Sequence, residues 1–153
     1  MIIKNKYKSA FNEISQAKNI LLVTHYNPDG DALSSLCAMS DLLIAMDKKF
    51  TAFCYDKPPF QFNFLPHVEK ITSQMNKTDF SKFDLIITLD CGSLSRTKLV
   101  SEILAREKNQ KTIEFDHHPK IDNFSDIEIR LPKASSTTEV LYLFMRKNNI
   151  SIN

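Results

Sequence analysis

The sequence predicts an α/β protein: a mostly parallel sheet with helices on both faces, in a Rossmann-like arrangement. Short apolar runs lacking polar alternation recur along the chain, and longer amphipathic patterns separate them. Strands buried on both faces lose the polar alternation of a half-exposed sheet, and helices between strands make the parallel crossovers. The third observation is negative: no repeat, low-complexity tract or Pro/Gly/Ser linker interrupts the alternation, so one domain is expected.

Taken in order, an amphipathic segment from about Tyr7 to Ala17 leads into the β-rich run Ile20 to Thr24. A polar loop follows, then a helix from Asp31 to Met46 and a strand from Phe50 to Tyr55. After a Pro58-Pro59 turn, the alternating Phe60, Phe62 and Phe64 read as core or edge packing rather than as a base-stacking platform. Strand Leu85 to Leu89, helix Arg96 to Glu107, strand Thr112 to Phe115 and a further strand Ile127 to Leu131 complete the alternation. The last helix starts near Ser136 with a capping box, in which Ser136 accepts from the Glu139 backbone and the Glu139 side chain reaches back.

Composition narrows the function classes. The 153 residues, 42% of them hydrophobic, suffice for one ordinary core. Runs such as Ile20 to Val23 and Val140 to Met145 are far too short to span a bilayer, and the amino terminus has no secretory pattern. Cys37, Cys54 and Cys91 are too few and too irregularly spaced for a disulfide framework or a thiolate zinc cluster. They are expected to be buried, reduced thiols, and the protein cytoplasmic with no membrane partner. The net charge of +2 comes from scattered lysines, so any preference for polyanions must reside in a local site.

In parallel sheets ligands collect at the carboxyl ends of the strands. His25, Asp29 and Asp31 follow the first predicted strand, Asp90 follows the Leu85 to Leu89 strand, and Asp116, His117 and His118 follow the Thr112 to Phe115 strand. The His-x-x-x-Asp-x-Asp pattern is weak alone; convergence at three strand ends is the stronger signal. The chain has only two glycines, Gly30 and Gly92, both beside these acids, where a missing Cβ allows a sharp turn or close approach. Carboxylates with imidazoles suit Mn²⁺, with Mg²⁺ an alternative, and so many acids in one place call for two ions. Two such ions can activate a water and stabilise the charge that develops in phosphate-ester hydrolysis.

The stretches His25-Tyr-Asn-Pro-Asp-Gly-Asp-Ala32, Leu89-Asp-Cys-Gly-Ser-Leu-Ser-Arg96 and Asp116-His-His-Pro119 resemble, in order, the first three motifs of the DHH phosphoesterases. The wording is nearest to the bacterial branch that degrades very short oligoribonucleotides and 3′-phosphoadenosine 5′-phosphate. The resemblance implies a Mn²⁺-dependent phosphodiesterase or phosphatase. It assigns His25 and Asp29 to one metal, Asp31 and His117 to the other, and Asp90 to a bridge between them. His118 would face the scissile phosphate or the attacking water, and Asp116 would orient its neighbours; His118, Asp90 and Asp116 are thus the catalytic candidates. It also implies a fourth motif and a glycine-rich substrate-binding second domain of the DHHA1 type. Neither is present before Asn153, so residues 1–153 are expected to be a single DHH domain incomplete at its carboxyl terminus.

Other residues have competing readings. Asp31 is also a candidate helix N-cap; Ser135 to Thr138 are able to present backbone amides to a phosphate at a helix start but read in the first place as capping residues, and His67 reads as a surface histidine. Arg96 is a candidate substrate-phosphate contact, and a Cys91 nucleophile is disfavoured for want of an orienting group. Rival functions are a single-strand DNA exonuclease, a cyclic-dinucleotide phosphodiesterase, a polyphosphatase and, from another class, a non-catalytic remnant that binds nucleotides. The expected partner is a short oligonucleotide or nucleotide phosphate, and a homodimer is open for the full-length form.

Overall fold

In β1 (Asn19–Val23), Ile20 and Leu22 enter one apolar cluster while Leu21 and Val23 enter another. A strand with both faces buried must be the interior of a covered sheet. The computed structural model describes residues 2–75 and 77–151 and places β1 at the centre of a six-stranded sheet. The other strands are β2 (Lys49–Phe53), β3 (Ile71–Thr72), β4 (Leu85–Leu89), β5 (Lys111–Asp116) and β6 (Ile127–Arg130). The order is β3-β2-β1-β4-β5-β6, and every pairing is parallel. The chain therefore winds outward from β1 in one direction, then returns to β4 and winds outward in the other.

The two faces are covered unequally. Helices α1 (Ile2–Gln16), α2 (Gly30–Ala45) and α4 (Thr137–Lys147) pack on the larger cluster, contributing Ile14, Met39 and Phe144 among others. The opposite face is covered by the short helix α3 (Val100–Leu104) through Ile103, by Leu94 and Leu99, and by Phe80, Phe83 and Phe124. The α/β class and the helices on both faces are as expected.

Several local expectations are corrected. The helix predicted over Arg96 to Glu107 divides into a 3₁₀ turn, Leu94–Thr97, and the five-residue α3. Lys98 between them is left-handed at φ 60°, and the Thr97 hydroxyl donates to Leu94 O (2.7 Å) while accepting from Leu99 N (3.1 Å), which closes the turn and starts the next. Strand β3 is too short to show any periodicity in sequence. Phe60 and Phe64 are not packed: they are 83% and 78% exposed. Phe60–Phe62 is a 3₁₀ turn, whose threefold period scatters residues that a strand would align on one face. His67, expected as an unpartnered surface residue, is half-buried with Nε2 at 3.1 Å from Asp41 Oδ1.

The capping box at α4 also differs in one bond. Ser136 accepts from Glu139 N (3.0 Å), but the Glu139 carboxylate returns to the backbone and hydroxyl of Ser135 (2.7 and 2.8 Å). All three cysteines are buried and free.

Candidate metal centre

The carboxyl ends of β1 and β4 lie side by side where the winding reverses, and a crevice at such a reversal is where parallel sheets bind ligands. His25 stands just beyond β1. Its ring is buried, and Nδ1 lies 2.7 Å from the Tyr26 carbonyl. That carbonyl can only accept, so Nδ1 carries the proton and Nε2 is free to act as a ligand. Nε2 sits 3.8 Å from Asp90 Oδ2 and 3.9 Å from Asp29 Oδ2. Burial lowers the His25 pKa, but the Asp90 carboxylate and the Tyr26 carbonyl outweigh it, leaving the pKa raised.

The loop to α2 is fixed by its backbone. Tyr26 N donates to Arg96 O (2.9 Å), and left-handed Asn27 donates its N–H to Asp56 (2.8 Å). Asp29, not Asp31, is the N-cap of α2, accepting from Ala32 N (3.0 Å) through Oδ1 and leaving Oδ2 toward His25. Asp31 lies in the first helical turn and points across to α4, where Thr137 N, Thr138 N and the Thr138 hydroxyl donate to it at 2.7, 2.9 and 2.6 Å.

Asp90 occupies the middle. It is buried and left-handed at φ 59°, a conformation held by its N–H to Phe115 O (3.0 Å). Its Oδ2 faces His25; its Oδ1 accepts from the Thr137 hydroxyl (2.7 Å) and lies 3.6 Å from both His117 Nε2 and His118 Nδ1. His117 Nε2 is also 3.7 Å from Asp31 Oδ2. Two groups of potential ligand atoms result, His25–Asp29–Asp90 and Asp90–His117–His118, each within 4.8 Å, and they share Asp90. A buried carboxylate with an imidazole on either side, and no thiolate among the ligands, fits hard or borderline divalent cations.

Asp116 does not point into that crevice. Its Oδ2 accepts from Gly92 N (2.6 Å), and its Oδ1 accepts from both the backbone N and the Nδ1 of His118 (2.8 Å each). Gly92 is left-handed at φ 68°, and a Cβ there would meet Arg96 Nη1 at 3.3 Å and His118 Cγ at 3.5 Å. Gly30 has ordinary backbone, but a Cβ would touch the Phe62 ring at 3.4 Å. Arg96 is half-buried with Nη1 donating to Cys91 O (3.2 Å), so its guanidinium lies beside His118 over Gly92 rather than opening a helix. Cys91 is buried away from the imidazoles, with its thiol directed at the Leu89 and Val23 carbonyls. Burial, with Asp116 and Asp90 nearby, pushes its pKa well up, which removes it as a nucleophile.

Sequence reasoning missed two supports of the centre. Thr137 and Thr138 were visible only as residues of a helix start, for capping or for facing a phosphate, because the carboxylates they bind are about a hundred or about fifty residues away in sequence. Arg130, buried on β6, donates to His118 O (2.6 Å) and Glu114 Oε1 (2.5 Å), with Asp116 Oδ1 at 3.5 Å; nothing in its sequence neighbourhood marks it. Asp122 and Asp126 are spent elsewhere, accepting from Leu94 N (2.7 Å) and Thr112 N (2.8 Å) respectively.

Fold and site together define a doubly wound α/β protein with a histidine–carboxylate centre at the reversal of its sheet. Comparison with known proteins makes the class specific: the family described as "DHH family, N-terminal domain" matches residues 19–153, so the chain belongs to the DHH family. It is 23% identical over 129 residues to the bifunctional oligoribonuclease and PAP phosphatase NrnA of Bacillus subtilis, covering 84% of this chain and 38% of that protein. NrnA of Mycoplasma genitalium is 28% identical over 122 residues, covering 80% and 37%. An exopolyphosphatase-related protein of Bacteroides fragilis shares the fold with a TM-score of 0.85 at 23% identity, over 94% of this chain and 43% of that one. RecJ of Thermus thermophilus, solved with Mn²⁺, shares it at a TM-score of 0.58 and 16% identity, over 97% and 21%. The chain thus spans well under half the length of these proteins. No helix among the described residues is long and apolar enough to cross a membrane.

Proposed function

We propose that this chain is the metal-holding portion of a DHH phosphoesterase, and that the protein containing it hydrolyses short oligonucleotides or 3′-phosphoadenosine 5′-phosphate. The observation that carries the reading is one buried carboxylate, Asp90, common to the two ligand groups found among the described residues, His25–Asp29–Asp90 and Asp90–His117–His118. His25 and Asp29 would hold one divalent cation, Asp31 and His117 the other, with Asp90 between; Mn²⁺ is the expected ion and Mg²⁺ the alternative. Bound ions would supply charge neutralisation and water activation at the phosphoryl group.

The chain's own residues supply the rest. His118, oriented by Asp116 through Nδ1, presents its half-exposed ring at the mouth of the centre and is the proton-handling or phosphate-facing group. Arg96 lies beside it over Gly92 and is the candidate contact for a phosphate oxygen. The NrnA relatives, named for oligoribonuclease and PAP phosphatase activity, support this substrate class over single-strand DNA or cyclic dinucleotides. We further propose that full activity needs a fourth carboxylate motif, because Asp122 and Asp126, the acids nearest after the DHH run, are bonded to backbone away from the centre, and, from the resemblance to the DHH phosphoesterases alone, a second domain.

The test is hydrolysis by a version carrying those additional parts, with Mn²⁺ present. The expected products are AMP from a pApA dinucleotide, and AMP with phosphate from 3′-phosphoadenosine 5′-phosphate. If both substrates stay intact while single-stranded DNA or a cyclic dinucleotide is cleaved, the substrate assignment is wrong.

A further inference from the structure

Four hydroxyl residues precede and open α4, and ordinary capping needs only one of them. Ser136 already fills that role at Glu139 N, and Ser135 is taken by the Glu139 carboxylate. The hydroxyls of Thr137 and Thr138 are therefore not required to start the helix, yet Thr137 is fully buried. Both are turned to the two carboxylates that face His117. The Thr137 hydroxyl donates to Asp90 Oδ1 (2.7 Å) while its N–H donates to Asp31 Oδ2 (2.7 Å). Thr138 adds its N–H and hydroxyl to Asp31 Oδ1 (2.9 and 2.6 Å). A carboxylate only accepts, so the direction of all four bonds is settled by chemistry.

We propose that Thr137, assisted by Thr138, is a positioning residue of the centre: it ties Asp31 and Asp90 to one rigid helix start and fixes their separation before any cation binds. This rests on the reading of the site as a metal centre. Asp31 and Asp90 lie 3.7 and 3.6 Å from the same atom, His117 Nε2, and two carboxylates so placed repel each other. The positive end of the α4 dipole and the four donated hydrogens offset that repulsion. Each carboxylate, held in this way, has its remaining lone pairs available to the imidazole side. Outer donors of this kind orient metal-binding carboxylates and contribute to affinity without touching the ion.

The experiment is Mn²⁺ titration by calorimetry of the wild-type chain, Thr137→Ser, Thr137→Val and Thr138→Val, each also melted in the presence of chelator. Thr137→Ser, which keeps the donor, is expected to bind Mn²⁺ like the wild type. Thr137→Val is expected to lose about tenfold or more in affinity, the effect typical of removing a support of this kind. Its metal-free melting temperature should fall by only a few degrees, as for one lost buried hydrogen bond. Should Thr137→Val fail to fold, Thr138→Val makes the same test through Asp31 and is expected to weaken Mn²⁺ binding by several-fold. Wild-type affinity in a folded Thr137→Val, or in Thr138→Val where that variant carries the test, overturns the positioning role alone. A wild-type chain that takes up no Mn²⁺ overturns the metal reading and this proposal together, and is recognised because every titration is then flat.

Discussion

Asp90 and Gly92 are two residues apart, both left-handed, and only one of them is glycine. Left-handed backbone costs an L-residue roughly 1–2 kcal/mol. At Asp90 the cost is offset by the bond of its N–H to Phe115 O and by the Thr137 hydroxyl on its carboxylate. At Gly92 the missing Cβ also leaves room for Arg96 and His118 and lets the amide reach Asp116. Gly92→Ala is therefore expected to destabilise the chain by about 1–2 kcal/mol, the left-handed penalty, read as a lower urea midpoint with unchanged slope. A wild-type midpoint would mean that this turn tolerates a Cβ and that its glycine has no geometric role. Sequence pointed to Gly92 through its rarity and its place beside Asp90. It could not separate Gly92 from Gly30, whose backbone is ordinary, since φ is not written in composition.

Among elements, the longer strands were the most legible, α3 was legible only as part of a longer predicted helix, and the two-residue β3 was not legible at all. Leu85–Leu89 has the bounds expected of it, because four apolar residues and the β-branched Thr88 form a short run without polar alternation, all five of them buried. The stretch after Arg96 has helical composition, but Thr97 and Lys98 close it into separate turns through a local hydroxyl-to-backbone bond and one left-handed residue, which a helical apolar pattern does not reveal. The pair formed by β5 and β6 carries a support that no pattern signals: buried Arg130 joins Glu114 to the His118 carbonyl. Removing one partner of a buried ion pair leaves the other uncompensated, so Arg130→Met is expected to cost about 3–5 kcal/mol. The companion Glu114→Leu/Arg130→Met, which removes both charges, should recover a large part of that loss in the same urea experiment. A single variant as stable as the wild type would show that the pair contributes nothing to holding the DHH loop.

For the whole molecule, the outward winding on either side of the reversal decides which residues meet. Parallel pairing of β1 with β4 and of β4 with β5 brings the residues after Val23, Leu89 and Asp116 to one end of the sheet, from three separate parts of the sequence. That convergence was legible, because strand ends can be read from apolar runs and parallel sheets collect ligands at their carboxyl ends. The helix start that holds Asp31 and Asp90 was not, because α4 reaches them only through packing on the same face as α2. Asp90 is where the separate parts depend on each other, and the measurement that tests this most directly is Mn²⁺ binding to the purified chain by calorimetry, with Asp90→Ala as the paired variant. Two ions per chain, both lost in Asp90→Ala, are predicted by a shared buried carboxylate. Two ions retained without Asp90, or one or none in the wild type, would contradict it.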